Sequence, residues 1–271
     1  MDDAARRLPR PAVAWRDLTA LTPAQTAGNA LLSLPWLAGS WLLAEAGRQP
    51  AALVLSAAFF LTALRQAHDS YHGSIGLPPR GRDALLLALS ATMLCSTHAI
   101  RHTHLAHHVA PMADGDQEGA WARQPAWRAL LGGPLFAVRI HRQAWREGTP
   151  RTRAWMALEL SLILAVAGAA AAWDGAPGWL RHHVLAMGAA NALVGFFAVW
   201  SVHHGCDPHG AFARTERRRW ANALTAHLLY HAEHHLFPQV PANHLPRLAA
   251  RLDAADARWT RLRVLPARGA A

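Results

Sequence analysis

Apolar residues come in long blocks separated by short polar turns, and the block lengths set the first expectation of architecture. The first block covers about residues 29–47, with Pro35 placed to kink it, and the turn Gly47-Arg48-Gln49-Pro50 closes it. A second, at about 51–67, leads directly into His68. Two more lie at about 155–173 and 180–201, joined by Asp174-Gly175-Ala176-Pro177-Gly178. Each approaches the ~20 residues that a helix needs to cross a bilayer. The apolar stretch 83–100 is shorter, which predicts a re-entrant or interfacial helix. One further helix is expected around 222–236, in an otherwise polar C-terminal region.

Composition strengthens the membrane reading. Hydrophobic residues make up 52% of the 271 and charged residues 16%, against roughly 25% charged in soluble domains. The formal net charge is +10, and all 27 basic residues are arginine. They sit beside apolar runs instead of forming a basic module, so anionic headgroups are the expected partner and nucleic acid is not. Cys95 and Cys206 are too few for a disulfide framework. The first 28 residues are polar and carry Arg6, Arg7, Arg10 and Arg16, so no cleavable signal peptide is expected. Tryptophans near the span ends (Trp36, Trp41, Trp155, Trp173, Trp179, Trp200) suit an interfacial belt.

Arginine asymmetry orients the spans. The turns at 47–50 and 174–178 carry one arginine between them, whereas the N-terminal, central and C-terminal segments carry nearly all the rest. By the positive-inside rule those three segments face the cytoplasm. The expected fold is all-α: four transmembrane helices as two hairpins plus a cytosolic helical cap, in a bacterial inner membrane, with both termini and the site cytoplasmic. It divides into a cytosolic or interfacial segment 1–28, a membrane domain 29–250 and a cytosolic tail 251–271.

The 18 histidines supply the candidate chemistry. His68 and His72 form an HxxxH at the end of the second block. His104, His107 and His108 form an HxxHH, and His231, His234 and His235 form another. Residues three and four apart share a helix face, so each cluster can aim its rings one way. Neutral imidazole suits iron, zinc and copper. Eight such donors exceed what one tetrahedral zinc uses, so two metals are implied. The topology also puts all three clusters on one side of the membrane. His102 is an alternative to His104. His98, His141, His182, His183, His209, His227 and His244 lack the pattern and read as structural or solvated. Asp114 and Asp116, in a polar loop after the second cluster, read first as a solvated turn and second as neighbours of the site.

The order HxxxH, HxxHH, HxxHH across four spans resembles the membrane fatty acid desaturase superfamily, which includes carotenoid ketolases and hydroxylases. The stretch YHAEHHLFPQVPANHLP from Tyr230 to Pro246 is similar to that family's third box and tail, and WSVHHGCD is similar to the segment that holds one further histidine ligand. Trp200-Ser201-Val202-His203 selects His203, with His204 second. The likeness covers about residues 50–250.

The resemblance implies two iron ions, O2 as oxidant and abstraction of hydrogen from an unactivated methylene, leaving a double bond or an alcohol. The implied ligands are His68, His72, His104, His107, His108, His203, His231, His234 and His235. Asp69 and Glu233, inside the boxes, are expected to orient ring nitrogens. No cytochrome b5-like module is visible, so a separate donor such as ferredoxin or cytochrome b5 is expected at the arginine-rich face. The leading expectation is an acyl-lipid or acyl-carrier desaturase. A carotenoid or other lipid hydroxylase or ketolase is the enzymatic rival, favoured by the short chain. A membrane metal transporter is the non-enzymatic one, disfavoured because the spans hold few acidic residues, Glu45 and Glu159.

Overall fold

Helices begin where the sequence places proline and capping hydroxyls. In α1 (Pro23–Leu31), Thr22 accepts from Gln25 N while the Gln25 side chain accepts from Thr22 N, a capping box with proline in the first turn. Pro35 lies in the first turn of α2 (Leu34–Glu45) and Pro50 in that of α3 (Gln49–His72). Gly73, at φ 75°, takes the left-handed position that stops α3 directly after His72. This computed structural model describes residues 11–207, 211–255 and 261–265, so Arg6, Arg7, Arg10 and His209 lie outside the described residues.

The next two helices are α4 (Pro79–Met93) and α5 (Thr97–Val109), bent by 111° relative to each other. Leu94, at φ 55°, ends α4, and the Ser96 hydroxyl caps α5 by accepting from Ala99 N. Short helices α6 (Gln117–Ala122) and α7 (Ala126–Leu131) and the longer α8 (Gly133–Glu147) lead to α9 (Pro150–Ala172). Glu159 of α9 is fully buried and accepts from the Ser90, Ser96 and Thr97 hydroxyls and from His98 N. A buried carboxylate surrounded by donors thus fixes the fold-back of α5 on α4.

The chain returns through α10 (Gly178–Val194), a π-helical turn Gly195–Trp200 and the single turn α11 (Ser201–His203). The C-terminal region adds α12 (Arg219–Leu224), α13 (His231–Leu236) and α14 (Leu245–Ala255). Among the described residues there is no strand, only an isolated bridge between Thr215 and Arg263.

Among the described residues, three helices are long and apolar enough to cross a membrane: Gln49–His72, Pro150–Ala172 and Gly178–His203. The α4–α5 pair makes a fourth only if the bent pair counts as one span. Residues 29–47, expected as one span, are instead split between α1 and α2. Pro35 has no N–H to carry α1's hydrogen-bond ladder onward, so a second helix starts there. At 12 residues, α2 is about 18 Å long, short of the roughly 30 Å apolar thickness of a bilayer. Residues 222–236 are likewise divided. Ala226 and His227 take positive φ (50° and 71°) between α12 and α13. Helix α14 lies in the C-terminal stretch read only as polar, and Pro246 occupies its first turn, where proline is tolerated.

Two apolar clusters are the largest among the described residues. One joins α2, α3, α4 and α10 around Phe59, Phe60, Leu86, Met93 and Met187. The other lies beyond the long helices, where Leu18 packs with Tyr230, Leu236, Phe237, Leu248 and Leu252. Each fully buried side chain of this kind contributes roughly 1.5–3 kcal/mol. This second core supports α13 from below and draws in the N-terminal segment, as the Arg251–Asp17 ion pair also does (2.7 Å).

Candidate metal centre

Each of four elements delivers imidazoles to one place. The last turn of α3 carries His68 and His72, one turn apart. Helix α5 carries His104, His107 and His108, and α13 carries His231, His234 and His235. The π-helical turn advances the end of α10 before His203, and such turns often mark functional sites. Gly195 opens that turn against Phe136 and Trp121, where an added Cβ would lie 2.9 Å from both.

The nine histidines converge as two adjoining groups. His68, His72, His104, His108 and His234 each offer a ring nitrogen within 4.8 Å of the others, and so do His107, His203 and His235. His231 joins the second group, its Nε2 2.8 Å from His203 Nε2 and 3.1 Å from His235 Nε2. In the first group, Nε2 atoms are 3.1 Å apart from His72 to His104, His104 to His108 and His108 to His234. His108 and His235 stack at 4.1 Å, joining the two groups.

Proton bookkeeping tests whether these groups suit metal ions. His203 Nδ1 lies 2.8 Å from the Phe212 carbonyl, which can only accept, so Nδ1 carries the proton. His107 Nδ1 donates to the Asp116 carboxylate at 2.8 Å. In the neutral rings both Nε2 atoms are then bare lone pairs, yet they face each other at 3.2 Å. Two acceptors cannot hydrogen-bond, whereas a cation between them satisfies both. His68 Nε2 is buried with no hydrogen-bond partner at all. With metal–imidazole bonds of roughly 2.0–2.1 Å, neighbouring donors on one ion lie about 3–3.4 Å apart, as these do. The donor set fits two ions.

Electrostatics keep the donors available. Burial, reinforced by neighbouring imidazoles, pushes His231, His234 and His235 well below the ordinary histidine range, so they stay neutral. Burial alone would raise the Asp116 pKa, but the hydrogen bond that His107 donates holds it below its ordinary value. His104 and His107 do the same for buried Glu118.

Asp116 and Glu118 are therefore the carboxylates behind the rings. Glu118 Oε2 is 3.3 Å from His104 Nδ1. Asp116, first read as part of a solvated turn, also caps α6 by accepting from Glu118 N and anchors the loop through Met112 N. Asp114 is exposed, as expected. Asp69 and Glu233 make other bonds. Asp69 accepts from Ala242 N at 3.3 Å and lies 3.6 Å from Arg65. Glu233 accepts from the Thr215 hydroxyl (2.7 Å) and from Arg217, which also reaches Asp253 of α14. Each stands one position from a box histidine, about 100° away round the helix, and ties its box to the tail.

The structure also separates the close alternatives. His203 is buried within the second group, whereas His204 stacks on Trp200 at 4.0 Å and bonds its carbonyl. His102 faces a cleft on the other side of α5, and His104 is the member in the cluster. His98 bonds Glu159, His141 accepts from Ser96 N, His182 bonds Ser56 and Gln49, and His183 donates to the Thr92 carbonyl. His244 bonds Leu18 and Gln25, and His227 lies in the turn before α13.

Comparison with known proteins agrees with this geometry. The family model described as fatty acid desaturase matches residues 46–264, a stretch that contains all nine histidines. No curated protein matches the chain.

Proposed function

The chain belongs to the fatty acid desaturase family, and from that premise we propose that it is a membrane oxidoreductase that uses O2 to insert a double bond into an acyl chain held on a lipid or carrier. The observation that carries the reading is the pair of histidine groups, in one of which the bare lone pairs of His107 and His203 face each other across 3.2 Å. Iron bound there would supply the activation of O2 needed to break an unactivated C–H bond.

The chain's own residues have distinct parts in this reading. His68, His72, His104, His108 and His234 hold one ion, and His107, His203, His231 and His235 hold the other. Asp116 and Glu118 keep protons on Nδ1 of His107 and His104, leaving Nε2 free to bind metal. Burial of His107, His203 and His234 keeps their ring nitrogens away from bulk water.

Membrane placement follows the same logic. Helices α1 and α2 run beside α3 along its length: Arg65 donates to Asn29 (2.8 Å), Ser40 meets Ser56 (2.7 Å) and Gln49 donates to the Ala44 carbonyl (3.2 Å). The two short helices together would therefore cross where one long helix was expected, giving two hairpins, α1–α2 with α3 and α9 with α10. The α4–α5 pair would enter and leave on the histidine side. That side is rich in arginine, which favours the cytoplasm of a bacterial inner membrane and a separate electron donor such as ferredoxin or cytochrome b5.

Lipid and pigment analysis of a host fed defined acyl chains, with a donor co-expressed, tests the activity. New double bonds that vanish in H107A support desaturation. Unchanged acyl chains beside oxygenated carotenoid would favour the hydroxylase or ketolase reading of the same site. Unchanged products with metal crossing the membrane would favour a transporter.

A further inference from the structure

Helix α5 has a second functional face. His104, His107 and His108 point to the metal centre, whereas His98, Arg101 and His102, at the same three- and four-residue spacing, line a cleft against the start of α9. The cleft encloses about 530 Å3, part of it open to solvent.

Its chemistry is that of an anion site. Arg101 and Arg151 reach in from opposite sides, 3.5 Å and 2.7 Å from the Asp83 carboxylate. Asp83 offsets one guanidinium and leaves a surplus positive charge. The Thr149 and Thr152 hydroxyls line the same rim, at the N-terminal end of the 23-residue helix α9, where the helix dipole favours negative charge.

Behind the arginines the cleft has a rigid wall. His98 is 5% exposed, and its Nε2 is buried without a hydrogen-bond partner. Its Nδ1 is committed to Glu159, its ring stacks on Trp155 at 4.7 Å, and the nearest carboxylate oxygen to Nε2, on Asp83, is 3.6 Å away. The surrounding fold holds this ring as a fixed wall of the cleft.

We propose that this cleft binds the phosphate of an anionic phospholipid headgroup, with Arg101 and Arg151 as the charged clamp and the fixed ring of His98 as its wall. A lipid source is favoured over soluble phosphate by position. The cleft lies where α9, long and apolar enough to cross a membrane, begins, and Trp155 and Leu105 line it. Basic pockets between membrane helices at that level suit lipid headgroups. A lipid seated there would brace α5 from the side opposite the metal ligands. The inference rests on the membrane placement and not on the oxidation chemistry.

Native mass spectrometry of the full chain, purified in detergent and exposed to equal amounts of phosphatidylglycerol and phosphatidylcholine, tests it. The expected result is retention of phosphatidylglycerol in about fivefold or greater excess. That excess should disappear in the R101Q/R151Q variant and persist in R142Q/R146Q, which alters exposed arginines of α8. Unchanged metal content and helical circular dichroism establish that the first variant folds. If it does not fold, the wild-type comparison decides alone. Equal retention of the two lipids, or an excess that survives R101Q/R151Q, overturns the proposal. Binding of inorganic phosphate without any preference between the lipids would overturn the lipid source.

Discussion

His107 and His203, separated by 96 positions in the sequence, face each other Nε2 to Nε2 at 3.2 Å with both Nδ1 protons already committed elsewhere. That contact is unfavourable between neutral rings alone and favourable around a cation. It groups His203, and not its neighbour, with the other box histidines. Elemental analysis of purified variants checks this: H203A should lose about half the bound iron, and H204A should keep it.

Asp116 accepts from Nδ1 of His107, on the far side of the ring from its Nε2. In D116N the amide can offer its nitrogen to the ring and favour the wrong tautomer, so metal affinity should fall by roughly 10–100-fold. Competition with a chelator measures this, with D114N, at an exposed position in the same loop, as the unchanged control.

Glu159 holds the α4–α5 fold-back through hydroxyl donors on both helices. Replacing it with leucine strands those buried donors, each at a cost of about 1–3 kcal/mol. E159L should lower the thermal unfolding midpoint in detergent clearly more than E159Q, which keeps one carbonyl acceptor.

Arg217 links box three to the tail by bonding Glu233 and Asp253 together. R217A should release α14 and speed proteolysis near its ends, while R142A, at an exposed position of α8, should not. Limited proteolysis followed by mass analysis reads the difference.

The metal-free protein should weaken on acidification. Burial holds His231, His234 and His235 well below the ordinary value of 6.5 in the folded state, so below that value only the unfolded chain takes up the protons. Their contribution is complete above pH 6.5 and is lost as pH falls toward the folded values. Urea unfolding of the metal-free protein should show lower stability at pH 5 than at pH 7.5.

The histidine boxes were legible in sequence because helical spacing alone puts His104 with His108, and His231 with His235, on shared faces. Asp116 was not, since nothing local separates it from Asp114. Only the loop that turns back at Met112 (φ 64°) brings its carboxylate to His107. The first expected span failed for a related reason. Pro35 signals an interruption, but sequence does not say whether a helix bends there or restarts. Asp69 and Glu233 were expected behind the rings because they adjoin them in sequence. The 100° turn between consecutive helical residues instead sends them to Ala242 and Arg217.

The central claim, two metal ions held by two histidine groups, is tested most directly by the iron content of the wild-type chain and H107A, purified from iron-replete cells. The account predicts two irons per wild-type chain, with about one lost in H107A. A wild-type chain without iron, or iron content unchanged in H107A, would contradict it.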